Sequence, residues 1–123
     1  MKEQEHNLQV ACVRWFRLQY PQHIIFAIPN GGQRNVVVAA KMKAEGVTAG
    51  VPDLFIPHPT KIYHGMFVEM KNGKRGRLSE SQLQMLGLLM RQGYACVVAR
   101  DFKDFQFKVM RYFKELPLEW EDL

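Results

Sequence analysis

The chain has 123 residues, a formal net charge of +5 and an isoelectric point of about 9.4. That length suits one domain with a real core, and an apolar share of 47% marks a globular rather than a disordered chain. No run approaches the roughly 20 apolar residues of a membrane span, the polar, acidic start from Met1 to His6 is unlike a secretory signal, and the basic balance favours a polyanionic partner without proving one.

Residues 3–20 read as a helix, because Leu8, Ala11, Cys12 and Trp15 recur at three- and four-residue steps, and Pro21 ends it. His23 to Ile28 reads as a strand, followed by a turn at Pro29-Asn30-Gly31-Gly32. Residues 33–45 look helical, with Gly46 as the C-cap. Two apolar strands follow, Leu54-Phe55-Ile56 and Gly65 to Lys71, joined by a connection containing Pro57 and Pro59. Ser79 opens a helix to Gln92 that Gly93 closes, Tyr94 to Ala99 is a β-branched and aromatic strand, and Asp101 caps a last helix ending before Pro117. The expected organisation is one α/β domain over 1–116, a central sheet flanked by helices, and an acidic tail over 117–123. Cys12 and Cys96 lie in apolar segments without a CxxC, which reads as reduced core thiols of a cytosolic protein. His6, His23, His58 and His64 lack zinc spacing.

The chemistry concentrates in Val51-Pro52-Asp53 and Glu69-Met70-Lys71, with fifteen residues between Asp53 and Glu69. Side chains two apart on a strand share a face, so Glu69 and Lys71 project together and Val68 and Met70 face away. Alone, Pro-Asp is a turn dipeptide and Glu-x-Lys an exposed ion pair. Both strands here are largely apolar and hence central, and charges in central strands need a reason. A hard cation such as Mg²⁺ resolves the repulsion of two carboxylates with oxygen ligands. Directly after comes Lys71-Asn72-Gly73-Lys74-Arg75-Gly76-Arg77, basic and acid-free, which is either a solvated loop or a set of phosphate contacts.

The chain resembles the VRR-NUC family, a branch of the PD-(D/E)XK nuclease superfamily. The resemblance runs through Glu5, Ile28-Pro29-Asn30-Gly31-Gly32, Lys43-Ala44-Glu45-Gly46-Val47, Gly50-Val51-Pro52-Asp53-Leu54, Gly65 to Lys71 and Leu78-Ser79-Glu80-Ser81-Gln82. It implies a restriction-endonuclease-like core and DNA cleavage with Mg²⁺, for which Mn²⁺ substitutes. Compact members look like homodimeric, structure-selective nucleases of phage or bacteria, and larger relatives carry the domain in DNA-repair enzymes. On this resemblance Asp53 and Glu69 ligate the metal, the Met70 carbonyl joins them, and Lys71 orients or deprotonates the attacking water.

Two positions keep alternatives. Glu3 and Glu5 both qualify as the acid of the first helix; Glu5 lies on the stripe of Leu8 and Cys12 and Glu3 roughly opposite, so Glu5 is the expected ligand, against a plain N-terminal acid. Ser79-Glu80-Ser81-Gln82 fits a capping box, yet Gln82 is in phase with Met85, Leu86 and Leu89 and so faces the sheet, where the family has a functional glutamine. Lys74, Arg75, Arg77 and Arg34 are the expected DNA contacts. The surplus of apolar residues on the first helix, Val10, Val13 and Trp15, is divided between the core and a dimer interface. The expected function is structure-selective cleavage of branched DNA, four-way junctions above all, with no membrane partner. The rivals are a sequence-specific restriction-like nuclease, a catalytically inactive DNA-binding module and a structural subunit.

Overall fold

The computed structural model describes residues 3–29 and 35–119. The elements run in the order α1 (Glu3–Gln19), β1 (Phe26–Ala27), α2 (Val36–Ala44), β2 (Leu54–Ile56), β3 (Met66–Met70), α3 (Glu80–Arg91), β4 (Ala95–Ala99) and α4 (Phe102–Phe113). Among the described residues they form an α/β domain, a mixed four-stranded sheet flanked by four helices. The sheet order is β1-β2-β3-β4, antiparallel across the first two pairings and parallel between β3 and β4. The parallel step follows from the sequence order, since α3 between β3 and β4 is the long crossover that parallel strands require.

Alternation divides the sheet into two faces. Leu54, Ile56, Met66, Val68, Met70, Ala95, Val97 and Ala99 join one core with Cys12 and Phe16 of α1 and Phe105, Val109 and Tyr112 of α4. The opposite face carries the ring contacts Phe26–Phe55, Phe55–Phe67 and Phe67–Tyr94, and Cys96 beneath α3, its thiol directed to the Leu86 carbonyl. Glu69 belongs to this second face by parity, so the charge of the central strand points toward α3 rather than into the main core. All five residues of β4 are buried, packed between α3 and α4.

The local signals account for the helices. Asn35 caps α2 and Asp101 caps α4, each side chain accepting the third backbone amide of its helix. Strand β1 is shorter than expected, two residues rather than the span from His23 to Ile28. Its ladder partner β2 offers only Phe55 and Leu54, and His23 instead joins a ring cluster with Tyr20, His58 and Phe113. Trp15 and Val13, both partly buried, pack on the core, Trp15 edge-on to Tyr20, Phe102 and Phe105. The acidic tail is described to Glu119: Leu118 packs against the core and its amide donates to the Tyr63 hydroxyl. Trp120 and the turn Asn30-Gly31-Gly32 lie outside the described residues.

Candidate active site

Antiparallel pairing of β2 with β3 brings the start of the first strand to the end of the second, and so Asp53 to Glu69 and Met70. The Asp53 carboxylate accepts the Met70 amide at 2.7 Å, while its own carbonyl accepts the Ile28 amide at 2.8 Å. Lys71 follows immediately, its amide donating to the Ala99 carbonyl at the end of β4.

Glu69 is the unusual residue, a carboxylate only 3% exposed. Its Oε1 accepts a hydrogen bond of 2.5 Å from the Gln82 amide nitrogen. Its Oε2 is buried and has no hydrogen-bond partner among the described residues. Burial raises the carboxyl well above the usual carboxylate range; the neighbouring Asp53 carboxylate pushes the same way, Lys71 opposes and Glu5 adds to the rise. Two carboxylates cannot donate to each other, so without a positive partner they ionise together only at a large electrostatic cost. Glu5 is half-buried and within the field of Glu69, whereas Glu3 is exposed, which agrees with the helical phase that selected Glu5.

Gln82 performs both of its candidate tasks. Its Oε1 accepts the Ser79 amide at 2.8 Å and its own amide donates to the Ser79 hydroxyl at 3.2 Å, a complete capping box, while its Nε2 reaches Glu69. The side-chain amide has both a donor and an acceptor end, so capping and contact are compatible. Gly50 makes the approach possible. It has φ +88°, and a Cβ there would stand 2.3 Å from the Ser81 carbonyl oxygen. Only glycine lets the turn before Asp53 seat on the first turn of α3.

An orphaned buried oxygen on Glu69 and the carboxylate of Asp53, within the field of Glu5, form an oxygen-rich, negatively charged donor set that fits a hard divalent cation. Among the described residues, no three His, Cys, Asp or Glu side chains converge as a ready-made cage.

The basic loop after Lys71 is fastened by a residue that the sequence reading missed. Arg100 donates to the Gly73 carbonyl at 3.2 Å and to the Gly76 carbonyl, and its own amide is held by Asp104. Gly76 in turn lies against Lys71, where an added Cβ would stand 3.2 Å from the Lys71 Cβ. The signal was in the topology: a strand, helix, strand order makes β4 parallel to β3, so the residue after Ala99 must emerge beside the residue after Met70. Lys74, Arg75 and Arg77 are exposed and, with Leu78, Leu83 and Arg100, line an open groove of about 760 Å³. Arg34 lies outside the described residues.

A family model described as the VRR-NUC domain matches residues 1–102. The chain belongs to the VRR-NUC family. It is similar to a solved structure titled "VRR_NUC domain protein", at 25% identity and TM-score 0.77, over 97% of this chain and 95% of the other. A second solved structure, titled "VRR_NUC domain", is similar in fold, at 18% identity and TM-score 0.61, over 88% of this chain and 96% of the other. No curated protein matches the sequence. The VRR-NUC domain has a nuclease-type fold, and DNA is the substrate that a nuclease domain implies. Among the described residues no helix is long and apolar enough to cross a membrane.

Proposed function

We propose that this VRR-NUC protein is a metal-dependent DNA endonuclease that hydrolyses phosphodiester bonds in branched DNA as a homodimer. The observation that carries the reading is the buried Glu69 carboxylate, with one oxygen held by Gln82 and the other without a partner, beside Asp53 and Lys71. Asp53, Glu69 and the Met70 carbonyl would hold Mg²⁺ or Mn²⁺, with Glu5 as a further ligand directly or through water. When bound, the ion lowers the pKa of a coordinated water and offsets charge on the phosphate.

The chain's own groups do the rest. Gln82 fixes the Glu69 carboxylate, so the ligand does not swing. Lys71 orients the attacking water, and its positive charge stabilises the extra negative charge as the water oxygen bonds to phosphorus, releasing a proton to solvent, and one bridging P–O bond breaks, the departing oxygen taking a proton from solvent. Gly76, lacking a side chain, leaves room for the stem of Lys71. Lys74, Arg75 and Arg77, with Arg34, contact phosphates without reading bases. Among the described residues no element resembles a helix-turn-helix or zinc finger, which favours selectivity by DNA shape. Helix α2 supports the dimer: none of its residues is buried, and Val36, Val37 and Val38 form an exposed apolar run. Two sites related by a two-fold axis match two strands of a junction.

The test is cleavage of a four-way junction and a linear duplex of equal length in Mg²⁺, Mn²⁺, Ca²⁺ or EDTA. The expected result is cleavage in Mg²⁺ or Mn²⁺, preference for the junction, binding without appreciable cleavage in Ca²⁺, and none in EDTA, with light scattering giving twice the 14.3 kDa chain mass. Robust cleavage in EDTA would sink the metal chemistry, and a monomer that cuts both DNAs equally would sink the branched-DNA assignment.

A further inference from the structure

The groove beside the catalytic loop does not end at Arg100. Lys74 and Arg100 also line a second open cavity of about 460 Å³, whose other walls include Lys103 and Phe107 of α4. The two cavities therefore form one trough that leaves the Lys71 loop and turns onto the outer face of α4. From its walls Lys103 and Phe107 the line continues to Arg111 and Lys114 at helical spacing, a stripe about 16 Å long at roughly 1.5 Å per residue. No acid interrupts this stripe. Asp101 and Asp104, which also line the cavity, are already engaged: Asp101 caps α4, and Asp104 accepts the Arg100 amide and the Lys108 ammonium.

Phe107 is the residue without a structural reason. It is 54% exposed, while the core of α4 is supplied by Phe105, Val109 and Tyr112. The Arg111 guanidinium sits over its ring at 5.7 Å. A cation against one side of an exposed aromatic ring, inside a cationic trough, is the combination that holds unpaired nucleotides: cations follow the phosphates and the ring stacks on a base. A duplex keeps its base faces covered by neighbouring pairs and leaves such a ring unused.

We propose that the trough and the outer face of α4 bind a single-stranded arm of nucleic acid leaving the catalytic centre, with Lys74, Lys103 and Lys114 on phosphates and Phe107 stacked on a base. This rests on the nuclease reading for its direction, from the Lys71 loop outward. It also names a feature of the substrate, an unpaired strand, that the junction assignment does not require.

The experiment measures fluorescence anisotropy of the protein in EDTA with a labelled twelve-nucleotide oligo(dT) and a labelled blunt duplex. Stacking on one base contributes enough for Phe107→Ala to weaken oligo(dT) binding about tenfold, with duplex affinity within about twofold and Phe107→Trp restoring the single-strand affinity. Lys103→Glu with Lys114→Glu should weaken the oligo(dT) and flatten its salt dependence. Thermal melts confirm folding of each variant, which the exposure of these side chains favours. Unchanged oligo(dT) binding in Phe107→Ala, or an equal loss for both DNAs, overturns the proposal. Binding of oligo(dT) that depends on Phe107 in a protein that never cleaves DNA with Mg²⁺ upholds the track and refutes the nuclease reading.

Discussion

Replacing Gln82 separates a helix cap from a ligand support, because the two duties fall on opposite ends of one side chain. Ser79→Ala removes only the cap hydroxyl and is expected to lower stability by about 1 kcal/mol. Gln82→Ala removes the return bond to the Ser79 amide, about 1 kcal/mol, and also leaves Glu69 Oε1 buried without its 2.5 Å donor, about 1–3 kcal/mol more. The expected total is about 2–4 kcal/mol, which for a chain of this size is a fall in Tm of roughly 10 °C, against roughly 4 °C for Ser79→Ala. Gln82→Glu keeps the cap acceptor but sets a third carboxyl group against Glu69 and Asp53; it should melt below wild type and lose at least tenfold in nuclease activity, while Ser79→Ala keeps nearly all of it. Calorimetric melts in metal-free buffer, paired with cleavage assays in Mg²⁺, make the comparison. If Gln82→Ala melts like Ser79→Ala and cleaves like wild type, the contact with Glu69 has no energetic or catalytic weight and the reasoning fails.

Gly50→Ala forces a Cβ to 2.3 Å from the Ser81 carbonyl at a φ of +88°, so it should destabilise by about 2–4 kcal/mol and reduce cleavage by displacing Asp53 from α3; a melt within 2 °C of wild type would show that the turn accommodates it. Lys74→Ala, Arg75→Ala and Arg77→Ala together should weaken binding to every duplex sequence alike and reduce the slope of log affinity against log salt by up to about 2.7, and an unchanged slope would put the DNA elsewhere. Burial, then the charge of His23 at 4.5 Å between ring centroids, lower the His58 pKa from its ordinary 6.5, with Glu115 opposing. The unfolded chain then takes up a proton more readily than the folded one, so this contribution is complete above about pH 6.5 and is lost as pH falls through the folded value. Thermal melts from pH 8 to 5 should fall more steeply for wild type than for His58→Gln, and parallel curves would remove His58 from the account.

The parts of this fold that were legible are those governed by local rules. Asp101, Ser79 and Asn35 are the kinds of residue that cap helices, and the first two were assigned to helix starts from sequence alone. The centrality of β2 and β3 followed from their apolar runs, and the meeting of Asp53 with Glu69 follows from their strand pairing. Helical phase singled out Glu5 over Glu3 and turned Gln82 toward the sheet. What stayed hidden depended on contacts between distant segments. The shortness of β1 is set by how much of β2 it meets, and a local β-propensity cannot report that. Arg100 drew no assignment from the sequence, because its partners are carbonyls at Gly73 and Gly76, which carry no side-chain signature. The bond from Gln82 to Glu69 could be anticipated in direction but not in distance, since the close seat of Gly50 on Ser81 decides it.

Strand β4 has a consequence for the life of the molecule outside its native state. Tyr94-Ala95-Cys96-Val97-Val98-Ala99 carries no charge and no proline and is rich in β-formers, the composition of a self-templating fibril segment. In the folded chain it pairs only with β3 among the described strands, yet its five residues are inaccessible because α3 and α4 lie over it. The opposite margin, β1, has two residues and is followed by Pro29, too short a rail for another strand to extend. Protection against intermolecular sheet growth is thus delegated to two helices rather than written into the strand. Once heat or a mutation detaches either one, precipitation competes with refolding, and the lifetime of the soluble protein is set by how often α3 or α4 lifts away.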